Sequence, residues 1–329
     1  MNNIELSKVY LPLLDEVYKE ASKTAILEGD EVTVRKGHNG EIEIAKLDMD
    51  GLGDFSRNSG YTQGSTSFVW ETIKFDKERS QDLRIDRLDN DENIAAPFAK
   101  LASEFIRTKV VPETDAARIA KIVGTAGISK KSEVLSTGAQ VVAALRTCAN
   151  KMDEDEVPTE SRILFIVPTL RALVDDLDTT KSRKVMEKFS TIIEVPQARM
   201  LSAVDLNDGT SAYGFKKGVA KYAKTKDVAI DSSKTYYTKS GDVYTAVAEP
   251  DVSDIATYYE MTEAAGVDVN FVCVEKSAAV CALDQYIKYF DPDQDQNGDS
   301  HVFKYRNNNL YGHVYENKLV GVYASVSTS

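Results

Sequence analysis

Glu41-Ile-Glu-Ile-Ala-Lys-Leu-Asp48 alternates apolar and charged residues, and Ser67-Phe-Val-Trp-Glu-Thr-Ile-Lys-Phe75 answers it after a polar stretch, Gly51 to Gly64, that holds four glycines. A period of two marks a half-exposed strand. The two segments therefore predict a long two-stranded excursion with a glycine-rich tip. An isolated hairpin is at best marginally stable in water, so this one needs a partner surface. The first expectation is assembly.

Upstream, residues 4–20 carry Leu6, Val9, Tyr10, Leu13, Leu14 and Val17 at helical spacing, interrupted by Pro12. This reads as an arm with one sticky face. Downstream, Ile94, Phe98, Leu101 and Phe105 recur at spacings of four, three and four and share one helical face. Asp91 or Asn93 can cap that helix, and Pro97 falls in its first turns. Pro112 is expected to break or kink it, with Ala116 to Val123 resuming before Gly124.

Residues 132–152 predict another helix, with Val134, Leu135, Val141, Val142, Leu145, Cys148 and Met152 on one face. After the acidic loop Asp153 to Glu156, Arg162-Ile-Leu-Phe-Ile-Val-Pro reads as a fully buried strand, and Thr169 is expected to cap a short helix containing Leu170, Leu173, Val174 and Leu177. Strand, cap and helix in that order predict an α/β layer. Residues 231–262 differ from their surroundings: tyrosine- and threonine-rich strands around a Ser240-Gly-Asp turn predict a small β insertion. The bracketing segments, Ala220 to Lys226 and the alternating Val267 to Val274, read as scaffold. Ser277 is expected to cap a helix, Ala278 to Phe290, and two final strands to meet at Glu316-Asn317-Lys318.

The chain has 329 residues, 42% of them hydrophobic and 28% charged, enough to bury a real core. A net charge of −12 disfavours nucleic-acid binding unless Lys and Arg are segregated on one patch. The nearest cluster in the sequence is Lys216, Lys217, Lys221, Lys224 and Lys226, read as a solvated face. The N-terminus does not have the pattern of a signal peptide, and the strongest apolar run, Ile163 to Val167, is too short to span a bilayer. No membrane association is expected. Cys148, Cys273 and Cys281 show no paired spacing and read as reduced, buried residues.

The chemistry-bearing motifs are weak. Asp293-x-Asp295-x-Asn297-Gly298 matches the first half of a calcium loop, but position twelve is Lys304 where a bidentate carboxylate is needed. A polar Asx-rich turn is the plainer reading, and no cofactor is expected. His38, His301 and His313 have no metal-ligand spacing, although the last two are close enough in sequence to meet. There is no glycine-flanked nucleophilic serine and no phosphate loop, and Gly51-x-Gly53 does not open a helix after a buried strand. The 52 carboxylates by themselves identify no catalytic pair. The expectation is a protein without catalytic activity.

The order of elements resembles the major capsid proteins of tailed bacteriophages, with their Hong Kong 97-like fold, which encapsulins share. The strings that carry the resemblance are Trp70-Glu-Thr-Ile-Lys-Phe-Asp-Lys-Glu-Arg with Leu83-Arg-Ile-Asp-Arg-Leu-Asp-Asn-Asp-Glu, then Glu104-Phe-Ile-Arg and Val111-Pro-Glu-Thr-Asp-Ala-Ala-Arg. At the C-terminal end they are Phe290-Asp-Pro-Asp, Tyr305-Arg306 and Val314-Tyr-Glu-Asn-Lys-Leu-Val-Gly-Val-Tyr. The resemblance implies an α+β fold with an N-arm (1–23), an extended β-hairpin loop (24–83), a peripheral domain with a long spine helix (84–128 and 267–329) and an axial domain (129–266) that contains the small β insertion 231–262. It implies a shell protein of the virion, made in the bacterial host cytoplasm. Hexamers and pentamers would close an icosahedral shell round double-stranded DNA that is not specifically bound. Portal and a separate scaffolding protein are the implied partners. Leu13, Leu14, Phe55, Tyr61 and Trp70 are the residues expected at contacts between subunits. The alternative is an encapsulin-like nanocompartment shell holding a protein cargo.

Overall fold

The computed structural model describes residues 22–28, 34–36, 41–55, 57, 61–86, 103–177, 179–227, 229–231, 234–294 and 298–328. The apolar arm at 4–20 and the helical positions Ile94, Phe98 and Leu101 lie outside these residues, as do their candidate caps. The chain divides into two compact units, one of residues 1–108 and 280–313, the other of 109–279 and 314–329.

The second unit is built on a mixed five-stranded sheet in the order Ser129–Ser132, Val322–Val326, Val269–Glu275, Arg162–Ile166, Thr191–Glu194. Val269–Glu275 is central and antiparallel to both neighbours, and the outer pairs are parallel. Arg162–Ile166 and Val322–Val326 are buried at every position. A strand covered on both faces can be apolar throughout, and Ile163-Leu-Phe-Ile is. Val269–Glu275 is buried at six of its seven positions, so the alternation expected there does not translate into one wet face.

The helix Gly138–Glu154 starts on a capping box: Thr137 Oγ1 accepts from the Gln140 amide, and Gln140 Oε1 accepts from the Thr137 amide. It therefore begins six residues later than the apolar spacing predicts. Ser129–Ser132 is an edge strand instead, and Val134 is exposed. Thr169 does not cap the following helix, Pro168–Asp175. Val167 holds the cap position without a side-chain bond and Pro168 supplies the first turn, where a missing amide costs nothing. A further helix, Thr180–Met186, has its own box from Thr179 and Ser182. Pro112 does not break the preceding helix either. Residues 103–124 are helical without interruption, with a π-type stretch, Ile106–Val110, directly before Val111–Gly124. The wider π turn accommodates a proline that would clash in a regular helix.

Arg162 opens its strand fully buried. Its guanidinium pairs with Asp153 at 2.7 Å and donates to the Val157 carbonyl at 2.5 Å. Lys188 reaches the other Asp153 oxygen at 3.1 Å. Burial alone would raise the Asp153 carboxyl, but the bonds from Arg162 and Lys188 outweigh it and hold the carboxyl below its ordinary range. The three cysteines are buried and none is bridged. Burial, with Cys273 alongside, pushes the Cys148 thiol well up, which keeps it out of thiolate chemistry.

The first unit carries the sheet Ala279–Phe290, Ser300–Val314, Lys77–Asp86. Its first strand overturns the helix expected at 278–290. Apolar residues at both spacings fit either structure, and pairing of this twelve-residue strand with Ser300–Val314 decides for the strand. Ser277 is no cap: its amide and hydroxyl donate to Glu275 Oε2 at 3.0 and 2.6 Å. The last two strands do not meet as a hairpin. Ser300–Val314 pairs with Lys77–Asp86 and Val322–Val326 with Val269–Glu275, and the 3-10 turn Glu316–Gly321 lies between them in the chain. His301 and His313 stand near opposite ends of one strand and so cannot meet. Phe105 packs edge-on against Phe303 and Tyr305, at centroid distances of 6.5 and 6.0 Å.

A separate four-stranded sheet, in the order Lys221–Lys224, Tyr259–Glu263, Tyr236–Ser240, Val243–Ala246, pairs only within itself. Lys221–Lys224 thus belongs to this sheet rather than to the scaffold. Ile255 to Thr257 lie in a 3-10 turn, Val252–Thr257, and the strand starts at Tyr259. The Ser240-Gly-Asp turn is present, with Gly241 at φ +62°, a region open to glycine. Tyr236, Ile255 and Tyr258 form a small core with Ile230 and Val247. The Tyr236 hydroxyl donates to Asp227 at 2.9 Å, and the Tyr258 hydroxyl accepts from the Asp251 amide at 3.1 Å. At the base, the Gly266 amide donates to the Gly218 carbonyl and the Gly218 amide to Ala203, both at 2.9 Å. A Cβ on Gly266 would lie 2.5 Å from the Ala203 carbonyl oxygen, so the neck requires glycine there.

Two outcomes follow. Asp153→Asn should lower unfolding stability by about 1–3 kcal/mol, less than the ~3–5 of a fully buried pair because solvent still reaches the carboxylate. Because the folded carboxyl titrates below its unfolded value, its contribution is complete above about pH 4 and lost as pH falls through the folded value. Urea midpoints of the two proteins should therefore differ at pH 7 and converge in acid; equal midpoints at pH 7 would disprove the role. Replacing residues 220–264 by a short Gly-Ser linker should leave cooperative unfolding intact, because the neck strands are already one hydrogen bond apart. An insoluble or non-cooperative product would show that the insert supports the rest of its unit.

Candidate assembly surface

Glu41–Met49 pairs antiparallel with Thr66–Lys74 over nine registered positions, and Val34–Lys36 adds a third strand. The register places Leu47 directly across from Phe68, and Met49 across from Thr66. Side chains directly opposite point to the same face, and residues two apart on one strand do likewise. Leu47, Met49, Phe68 and Trp70 therefore share one face. Phe68 meets Trp70 edge-on at 5.6 Å. Leu47, Phe68 and Met49 are nevertheless 53, 59 and 59% exposed. Covering such a side chain is worth roughly 1.5–3 kcal/mol, and nothing within the described residues covers these.

Beyond the strands, the Asp50 and Ser65 backbones are joined at 3.0 Å, and Asp50 Oδ2 accepts the Ser65 amide at 2.7 Å. The Thr62 hydroxyl donates to the Asp54 carbonyl at 2.9 Å. Phe55 and Tyr61 meet edge-on at 5.2 Å while remaining largely exposed. The tip thus presents a second aromatic group, with Leu52 bare beside it in the chain.

Of the residues expected at contacts, Phe55 and Tyr61 come together at the tip, Trp70 is half-buried on the strand face, and Leu13 and Leu14 lie outside the described residues. Sequence reasoning missed Leu47, Met49, Leu52 and Phe68. The signal was available for three of them: aligning the two strands about the glycine-rich tip puts Leu47 opposite Phe68, with Met49 two positions along on the same face. For the calcium candidate, Asp293 sits in a 3-10 turn, Pro292–Gln294, while Asp295 and Asn297 are outside the described residues. Among the described residues no three metal-ligating side chains come together, and no helix is long and apolar enough to cross a membrane.

No family model matches the sequence, and no curated protein matches it. Solved structures do match in fold. A chain from the capsid structure of the cyanophage P-SCSP1u is 13% identical, with a TM-score of 0.52 over 89% of this chain and 85% of that one. A chain from Mycobacterium phage Che8 is 12% identical (TM-score 0.48; 91 and 89% covered). A chain from the virus-like particle of Pyrococcus furiosus is 10% identical (TM-score 0.44; 94 and 98% covered). With the α+β architecture and the long helix, the likeness to the cyanophage chain establishes that this protein has the Hong Kong 97-like capsid fold.

Proposed function

We propose that the chain is the major capsid protein of a tailed phage, a structural subunit that assembles into hexamers and pentamers of a closed shell round double-stranded DNA. The observation that carries the proposal is the hairpin 41–74: an exposed apolar face on a ribbon with no core of its own, on a fold shared with a cyanophage capsid chain. Such a ribbon gains stability only by lying on another molecule. Repeated round closed rings, many modest contacts of this kind make a stable shell without any tight pair. In this reading residues 1–23 are the N-arm and 24–83 the extended loop. Residues 84–128 with 267–329 are the peripheral domain, and 129–266 the axial domain, with the insert facing outward. Portal and a separate scaffolding protein are its partners in assembly, and the mature protein resides in the virion.

The test is sedimentation and negative-stain imaging of the purified chain, alone and with its scaffolding protein, beside a Leu47→Lys/Phe68→Glu variant, whose opposite charges face each other across the ladder. Wild type should form capsomers and closed shells. The variant should keep its melting temperature, since solvent-facing substitutions usually change stability by less than ~0.5 kcal/mol, and should fail to assemble. A well-folded wild-type monomer under every condition tried would overturn the reading. Shells that reproducibly enclose a protein cargo instead of DNA would place the chain with nanocompartments.

A further inference from the structure

The three-stranded sheet of the first unit gathers cations that are far apart in the sequence. Lys288 comes from Ala279–Phe290, and Lys304 and Arg306 from its neighbour Ser300–Val314. All three line a cleft of about 370 Å³ whose wall on the third strand is Ser80, Gln81 and Asp82. Carboxylates close to it are already engaged. Asp82 pairs with Arg84 at 3.0 Å and Glu78 with Arg306 at 2.9 Å, and Asp284 accepts the Tyr286 hydroxyl at 2.5 Å. The Arg306 guanidinium also lies over the Tyr286 ring at 5.1 Å, and the Lys304 ammonium over Phe290 at 5.6 Å. Neither Lys288 nor Lys304 makes an ion pair within 4 Å among the described residues, although Asp82 stands directly across from Lys304 in the strand register. In a chain of net charge −12, the cleft is lined by three cations, Lys288, Lys304 and Arg306, against the single carboxylate of Asp82.

We propose that this cleft is a phosphate seat for the backbone of nucleic acid. Two like charges held in one cleft repel, and an anion between them removes that cost. A carboxylate partner is matched best by the planar fork of arginine. The one arginine here is already taken by Glu78, and what remains are point-charge ammonium groups with the Ser80 hydroxyl as a further donor. That set suits a tetrahedral phosphate. The inference rests on the shell reading above, in which duplex DNA is the enclosed phosphate source. Two lysines engage at most about two phosphates, so each subunit binds weakly and salt-dependently. Many weak seats hold a polyanion without trapping it.

The test measures binding of a 20-base-pair duplex to the full-length chain as capsomers, before shells close, between about 50 and 200 mM salt. Lys288→Gln/Lys304→Gln should weaken binding roughly tenfold at the low end and reduce the slope of log K against log salt by about 2. Lys181→Gln/Lys184→Gln, which removes the same charge elsewhere, should change neither. Lys288→Arg/Lys304→Arg should restore most of the affinity. Inorganic phosphate at matched ionic strength should compete far less well than duplex. Equal binding and slope in wild type and the glutamine variant would overturn the proposal. So would phosphate competing as well as duplex, or polyglutamate binding more tightly than duplex through the same lysines. Imaging separates this inference from the reading beneath it: closed shells without lysine-dependent DNA binding sink the phosphate seat alone, whereas absence of shells sinks the shell reading.

Discussion

Val269–Glu275 holds the second unit together because it is the strand on which two ladders converge. On one side lies Arg162–Ile166, more than a hundred residues earlier, and on the other Val322–Val326, near the C-terminus. Neither ladder forms until the chain has closed long loops, whose entropy must be offset by the burial that follows. The residues reflect that demand. Phe271, Val272, Cys273 and Val274 are almost wholly buried, as are Ile163 to Ile166 facing them, and Phe271 stacks on Tyr323 at 6.3 Å. Arg162 is the exception in this apolar layer, tolerated because Asp153 and the Val157 carbonyl meet its guanidinium.

The hairpin stands in contrast to that core. Its backbone bonds are complete over nine positions, so it is well formed as a ribbon. Its apolar face remains bare, so it is poorly stabilised as an isolated object. In the proposed shell these two properties belong together: the ladder would preserve the shape of the contact, and the unburied Leu47, Met49 and Phe68 would hold the free energy of association in reserve. The small β insert solves the same problem differently. It encloses Tyr236, Ile255 and Tyr258 within itself and joins its unit through a glycine neck. One face of its sheet stacks Tyr222 on Tyr244 at 4.1 Å, with Tyr237 and Tyr259 at their edges. Of the insert's tyrosines Tyr236, Tyr237, Tyr244, Tyr258 and Tyr259, the internal core accounts for Tyr236 and Tyr258. The other three gather with Tyr222 on a half-exposed face.

Local pattern was sufficient wherever a single signal decided the structure. The alternation at 41–48 and 67–75, the unbroken apolar run after Arg162, the Ser240-Gly-Asp turn and the burial of the three cysteines could each be read from neighbouring residues. So could the resemblance in the order of elements, because the fold repeats that order. It failed where two structures competed for the same residues. Ala279 to Phe290 carry apolar residues at both helical and strand spacing, and only the neighbouring Ser300–Val314 ladder selects the strand. Pro112 carries a strong local signal for a break, yet the π-type turn before it removes the clash.

The sequence by itself determined that this chain forms a long ribbon with too little apolar cover and a separate tyrosine-rich insert, because both depend on periodicities of a few residues. Tertiary structure alone decided which side chains meet. It brought Leu47 across from Phe68 through register. It drew Lys221–Lys224 into the insert sheet by pairing with Tyr259–Glu263. It set Lys288 beside Lys304 and Arg306 across adjacent strands, where a linear reading finds no basic cluster at all. The physical reason is that charge and burial act through distances in space, and strand pairing turns separations of many residues into neighbouring positions about five ångströms apart.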